Sequence, residues 1–380
     1  MRIWSCLPVR KSLAGAERLA AWIVLLTLSS ICVEAQDRWK IQFFYDKQDS
    51  SFDIRDIQCP SAEHCVAAGV VVSKDGREKG AIVSTGDGGA HWSMADVKEN
   101  PLSLFFLNDL LGWMVTEHGI WSSDGTAWKK LDGPKGALRV YFLDSSHGYA
   151  IGAPGAVYET SDGGKKWAKL GVASAAPADP KHTVYECITF RGQHGIIIGP
   201  VSADDNLNSS FVNPRRNSPV VALETFDGGK NWSSRQVSFF GEITLAGFAK
   251  GDLPVFLVEY PSYYVVASGL IGGALGSNNQ KTLFAEKNRA VTGLALLPDG
   301  GAIVAAIEPP GNSSQIPIPG KLKIVETDDW KTWHEMDVDY RAVAQRAVAA
   351  IADARHKWVA TDTGMILAPV SSGTADLHSK

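Results

Sequence analysis

Five segments decide how this chain is read: TGDGGAHW (residues 85–92), SSDGTAW (122–128), TSDGGKKW (160–167), TFDGGKNW (225–232) and the degenerate DDWKTW (328–333). Each sets a hydroxyl or acidic residue before an Asp, glycine after it in the first four, and a Trp at the end. Asp and Ser/Thr side chains cap backbone N–H groups inside tight turns, and glycine supplies positive φ. The closing Trp is a large apolar wedge at the start of the next strand. The segments are therefore hairpin turns, with Asp87, Asp124, Asp162, Asp227 and Asp328 as the turn acids and Trp92, Trp128, Trp167, Trp232 and Trp333 as packing anchors.

The Asp-to-Asp steps are 37, 38, 65 and 101 residues. The first two fit one four-stranded unit, the third a unit with an insertion, and the last two units with one motif lost. Upstream of the turns lie short β-rich runs such as RVYFL (139–143), GIIIG (195–199) and AVYET (156–160), with no helical period between them. Four-stranded units recurring about every 40 residues read as propeller blades. The expectation is an all-β, seven-bladed β-propeller of four-stranded antiparallel blades, at roughly 53–98, 100–133, 136–172, 182–240, 242–288, 290–338 and from 342 on. The last unit has three strands, AVAAIA (347–352), KWVAT (357–361) and MILA (365–368), and the run WKIQFFY (39–45) stands alone before the first. That N-terminal strand is expected to complete the last blade and close the ring, removing its edges.

The repeats resemble bacterial neuraminidase Asp-box repeats. With the Gly-Tyr or Gly-Trp pairs at 148–149 and 112–113 they are similar to the photosystem II stability/assembly factor-like propellers, well over 53–240 and weakly over 241–370. The resemblance implies that the Asp box is a structural turn, and that the chain is a non-catalytic protein-binding scaffold holding a protein partner or a membrane-protein assembly intermediate. The alternative from another class is an extracellular glycoside hydrolase of sialidase-like fold. That chemistry needs an arginine cluster for a substrate carboxylate, or two carboxylates facing each other. The sequence lacks the Phe/Tyr-Arg-Ile-Pro run of sialidases, and Asp53, Asp204, Asp205, Glu242 and Glu259 are unremarkable acids. No HExxH or GxSxG pattern occurs, and GLIGGALG (269–276) opens no helical pattern, so no catalytic residue, metal ligand or cofactor is expected.

Residues 1–35 read as a signal peptide: Arg2, Arg10, Lys11 and Arg18 precede an apolar run from Ala20 to Val33, and Val33-Glu34-Ala35 suits cleavage before Gln36. The propeller then spans 36–370, with a flexible tail at 371–380. Soluble export to a periplasmic or extracellular space follows, with no membrane span after processing. Lys+Arg 37 against Asp+Glu 41 gives −4, becoming −6 without the leader, and no basic block marks a nucleic-acid partner. A monomer is expected. An oxidising compartment permits a Cys59–Cys65 disulfide and leaves Cys187 as an odd thiol. The two insertions, 201–219 and 309–320, join second to third strands, opposite the Asp boxes. The first carries Asp204, Asp205, Arg215 and Arg216, and that face is the expected binding face.

Overall fold

The computed structural model describes residues 38–174, 179–201, 219–238, 242–259, 264–268, 281–297, 300–308 and 319–370. The leader, the C-terminal tail, residues 269–276 and the insertion residues Asp204, Asp205, Arg215 and Arg216 lie outside these.

The described chain is built of antiparallel sheets, numbered here in chain order. Sheet 1 is Ser50–Gln58, Cys65–Ser73, Glu78–Thr85 and Ser93–Asp96. Sheet 2 is Pro101–Phe106, Gly112–Thr116, Gly119–Ser123 and Trp128–Leu131. Sheet 3 is Ala137–Phe142, Gly148–Gly152, Ala156–Thr160 and Ala168–Lys169. Sheet 4 is Cys187–Arg191, His194–Pro200, Pro219–Thr225 and Ser233–Ser238. Sheet 5 is Glu242–Ala249, Leu253–Glu259, Tyr264–Ser268 and Lys281–Glu286. Sheet 6 is Ala290–Leu296, Ala302–Ile307, Gly320–Thr327 and His334–Glu335. Sheet 7 is Ala347–Ile351, Lys357–Thr361 and Met365–Val370, to which Arg38–Phe44 adds antiparallel, with Lys40 opposite Ala368 and Phe44 opposite Met365. Among the described residues helix is confined to one turn, Gly171–Ser174, and a 3-10 turn, Pro180–His182.

Burial follows strand position. The second strand of each sheet is covered on both faces and is a continuous apolar run; Gly112–Thr116, Gly148–Gly152 and Ala302–Ile307 are buried throughout. The apolar cores lie between consecutive sheets. Trp113 of sheet 2 stacks on Phe142 of sheet 3 at 3.5 Å between ring centres, and Ile151 and Val157 of sheet 3 pack with Tyr185 and Ile197 at sheet 4. Ile54 and Val83 of sheet 1 pack with Trp358 and Ile366 of sheet 7. The same arrangement recurs between each successive pair.

The first strands do not form a sheet with one another, so their inward carbonyls need other partners. Side chains supply them. Arg346 donates to the carbonyls of Ile54 (3.1 Å) and Arg55 (3.3 Å), Arg55 to Pro101 (3.2 Å), and the Ser103 hydroxyl to Leu138 (2.8 Å). The Tyr141 hydroxyl donates to the Phe190 carbonyl (3.2 Å), and Thr292 to that of Ala347 (3.0 Å). Each bond crosses to the next sheet. Between sheets 1 and 2, Asp56 adds a carboxylate that accepts from the backbone N–H of Ile57 and of Leu104, both at 2.8 Å. Burial pushes the Asp56 carboxyl above its ordinary value, against the pull of Arg139 and those N–H groups.

Asp56→Ala should cost about 1–3 kcal/mol, because Leu104 N–H is left buried without an acceptor. Asp56→Asn keeps an acceptor oxygen and should recover most of that loss in urea denaturation. Equal stability of wild type and the Ala variant would show that the seam does not depend on this carboxylate.

Candidate binding surfaces

In an antiparallel sheet the first-to-second and third-to-fourth connections share one end, and the second-to-third connections share the other. All the Asp boxes are third-to-fourth connections. In the box of sheet 1 the Thr85 hydroxyl donates to Asp87 (2.8 Å) and accepts from Gly89 N–H (2.9 Å), while Asp87 accepts from His91 N–H (2.9 Å). Thr160, Asp162, Gly164 and Lys166 repeat this in sheet 3, and Thr225, Asp227, Gly229 and Asn231 in sheet 4. Gly88 and Gly89 sit at φ 71° and 92°, a conformation that favours glycine. The first glycine also ties the box to the neighbouring turn, Gly88 N–H to Glu63 O and Gly163 N–H to Ser146 O, each at 2.9 Å.

These acids are consumed by the turn. Asp87 is held at about 2, chiefly by the His91 backbone N–H and then by the His91 ring and the Thr85 hydroxyl. Asp227 is held at about 2 by Asn231 in the same way, and the Asp124 and Asp162 carboxyls also lie below their ordinary range. Such groups stay ionised and cannot serve as general acids near neutral pH.

One expectation needs correction. The acid of the fifth box is Asp329, not Asp328: Thr327 donates to Asp329 (3.4 Å), which accepts from Lys331 and Thr332 N–H (2.8 Å each). The Thr-x-Asp spacing therefore matches the other boxes, and Trp330, at φ 61°, stands where they have glycine. The box tryptophans Trp92, Trp128, Trp167, Trp232 and Trp333 are only partly buried. They pack against the cores between sheets, as the packing-anchor reading expects. The fully buried indoles are Trp39, Trp113 and Trp358. Trp113 donates to the carbonyl of Gly163 in the next sheet's box (3.2 Å), and the Tyr149 hydroxyl to that of Gly229 (3.4 Å). The pattern Gly-Trp or Gly-Tyr opening the second strand was the sequence signal for this inter-sheet bond.

At the opposite end, Arg346 meets Asp53 (2.7 Å), and Arg55 bridges Asp53 (3.6 Å), Glu78 (4.0 Å) and Glu117 (3.7 Å). Nearby, burial works against the charge of Glu99, but Lys130, Thr116 and Trp121 outweigh it and hold this carboxyl at about 2. Beside this network, between sheets 2 and 3, lies a cavity of about 600 Å³ walled by Leu102, Pro134, Ala137 and Leu138, with Glu117 and Lys135 on its rim. That size suits a small ligand or a few residues of a polypeptide. Glu242 and Glu259 are backbone partners on adjacent strands of sheet 5, not acids set across a gap. Asp53 and both of these arginines are committed to one another. Among the described residues no group of three or more His, Cys, Asp or Glu is placed to hold a metal ion, and no helix is long and apolar enough to cross a membrane. Cys59 and Cys65 form a disulfide across the first turn of sheet 1, and Cys187 is a buried thiol pushed up to about 12 by burial.

Two outcomes are expected for the boxes. Thr225→Val removes a buried hydroxyl serving two groups and should cost about 1–3 kcal/mol by denaturant titration. For the acids, a depressed folded pKa gives stability that is complete above the ordinary value of 3.8 and lost as pH falls towards about 2. The thermal midpoint should therefore fall between pH 4 and 2; a midpoint flat across that window would show that the box carboxylates add nothing.

Comparison with known proteins gives a consistent picture. Residues 120–202 match the family of photosynthesis system II assembly factor YCF48. A structure of YCF48 bound to D1 peptide aligns with TM-score 0.58 and 16% identity, over 89% of this chain and 97% of the other. YCF48 from Cyanidioschyzon merolae aligns with TM-score 0.56 and 17% identity, over 89% and 99%. Virginiamycin B lyase from Staphylococcus aureus shares the fold at TM-score 0.52 and 9% identity, over 87% and 98%. No curated protein sequence matches significantly. With the Asp-box turns and the run of four-stranded sheets, these matches show a fold like that of the YCF48 structures and a segment, residues 120–202, that is similar to the YCF48 family.

Proposed function

We propose that this chain is an exported, non-catalytic scaffold that holds a polypeptide segment of a protein partner or membrane-protein assembly intermediate. In this reading the sheets are seven blades of one ring, closed by the N-terminal strand Arg38–Phe44. The pairing of that strand with Met365–Val370, and the core shared by sheets 1 and 7, support closure. The disulfide and the leader-like N-terminus support export to a periplasmic or extracellular space.

The observation that carries the reading is the likeness to YCF48 over nearly the whole chain, one example of which was solved with a peptide bound. The binding face is assigned to the end opposite the Asp boxes, where the 600 Å³ cavity opens and from which the insertions 201–219 and 309–320 leave their strands. Loops there vary without disturbing the repeats, which suits recognition on a constant frame.

A photo-crosslinking residue at exposed His118, on the cavity rim, should capture a polypeptide in the native envelope, while one at exposed Lys165 in a box should not. Equal capture from both positions, or none from His118, would sink the assignment of this face. The mature protein should begin at Gln36 by N-terminal sequencing; an intact Met1 in the exported fraction would contradict leader removal.

A further inference from the structure

Sheets 3 and 4 share a pair that sheet 1 lacks. In sheet 3, His147 precedes the strand residue opposite box Thr160, and Glu159 precedes that threonine; His147 Nε2 lies 2.8 Å from the Glu159 carboxylate. In sheet 4, His194 and Glu224 occupy the same places relative to Thr225, with Nε2 at 2.9 Å, and Glu224 is almost fully buried. In sheet 1, Cys65 is opposite Thr85, so His64 is the matching histidine and Ser84 stands at the glutamate position. The imidazole is placed alike: His64 lies against Phe106 of the next sheet (5.8 Å), as His194 lies against Phe248 (4.9 Å).

The shorter side chain leaves room. A cavity of about 500 Å³ is lined by His64, Ser84, Asp87, His91, Trp92 and Ser93. Ser84 and Ser93 hydroxyls face each other at 3.3 Å. No hydrogen bond from a described residue reaches the His64 Nε2, the atom that meets glutamate in sheets 3 and 4, and His64 Nδ1 is buried without a partner.

We propose that this cavity is a carboxylate site, in which an acidic side chain of a partner polypeptide supplies the group that Glu159 and Glu224 supply internally. The carboxylate accepts from His64 Nε2 and from the Ser84 and Ser93 hydroxyls. The nearby Asp87 does not forbid it, because Asp162 and Asp227 stand beside Glu159 and Glu224 in the same relation and are tied up by their own turns. The polypeptide source rests on the protein-binding reading above; the site itself rests on the register and the cavity. It lies at the box of sheet 1, not at the box of sheet 3 that carries Lys165 and has its histidine–glutamate pair complete, so it is a second, separate contact and its failure leaves the cross-linking comparison of His118 with Lys165 untouched.

The test follows the His64 ring by NMR in the full chain, assigned by its loss in His64→Gln, during titration with sodium acetate against a sodium chloride control. A blocked Gly-Glu-Gly peptide and its Gly-Gln-Gly counterpart are titrated in parallel. Acetate and the Glu peptide should shift the His64 resonances, and the Gln peptide should not. Ser84→Glu should abolish both shifts and itself displace the His64 ring resonances, since an internal carboxylate now accepts from the ring. The His64→Gln variant should bind neither, read from the amide resonances around Ser84 and Ser93. A Glu peptide binding more tightly than acetate supports a polypeptide source, and equal binding overturns that source in favour of a small carboxylate. A wild-type His64 indifferent to both, or a folded Ser84→Glu variant whose His64 resonances still respond to acetate, overturns the site.

Discussion

The hydroxyl that ends the third strand of sheets 1, 3, 4 and 6 is the contact on which the rest depends. Thr85, Thr160, Thr225 and Thr327 are all buried, and each both donates to the box acid and accepts from a backbone N–H of its own turn. A threonine suits this place because its methyl fills the strand face while its hydroxyl turns inward to the loop. Fixing that turn fixes two further things. It presents a glycine carbonyl to the aromatic donor of the preceding sheet, as Gly163 to Trp113, and it starts the outer strand at a set angle. Spacing between sheets is therefore decided at the boxes, by local chemistry, rather than by the cores alone.

The inner ends follow a different logic. There the repeat does not dictate the residue, only the need: a carbonyl on one first strand must find a donor on its neighbour. Arginine, serine, tyrosine and threonine all meet it, in Arg346, Arg55, Ser103, Tyr141 and Thr292. Charged donors cross where sheets 7, 1 and 2 meet, and Arg191 does so from sheet 4 to Ala249 of sheet 5, while the donors from sheets 2, 3 and 6 are neutral hydroxyls. Hydrogen bonds to charged donors are the stronger kind, so the seam that joins the two ends of the described chain is also among the most strongly bonded.

Much of the fold was legible because boxes and strand periods are local signals. TGDGGAHW can be read as a turn without knowing anything distant, and the alternating runs place strands between turns. What escaped reading was whatever depends on neighbours in space. The fifth box was placed on Asp328 because the missing glycines removed the landmarks, although Thr327 two residues before Asp329 would have set the register. The box tryptophans pack against the inter-sheet cores as read, but less deeply than Trp39, Trp113 and Trp358, because a two-residue outer strand such as Ala168–Lys169 covers little. The inner stitches have no sequence signature, since several residue types satisfy the same carbonyl. The insertion residues Asp204, Asp205, Arg215 and Arg216 lie outside the described residues, so the proposed binding face is legible as a position in the repeat but not as a surface.

Where a repeat holds its shape through internal pairs, function is to be sought where a pair is incomplete. Asp87, Asp162 and Asp227 look like chemistry in the sequence, but their oxygens are already occupied by turn N–H groups. Glu159 and Glu224 look equally reactive and are matched by histidines on the adjacent strand. Each such carboxylate has been neutralised as a functional group by the frame it supports. The exceptions break the repeat instead of following it: a serine in sheet 1 where sheets 3, 4 and 6 have glutamate, and a cavity where a loop between sheets runs through Gly133-Pro134-Lys135-Gly136. A scaffold whose repeated acids are all spent on its own turns can change partners by altering those exceptions alone, because no box contact has to be given up to do so.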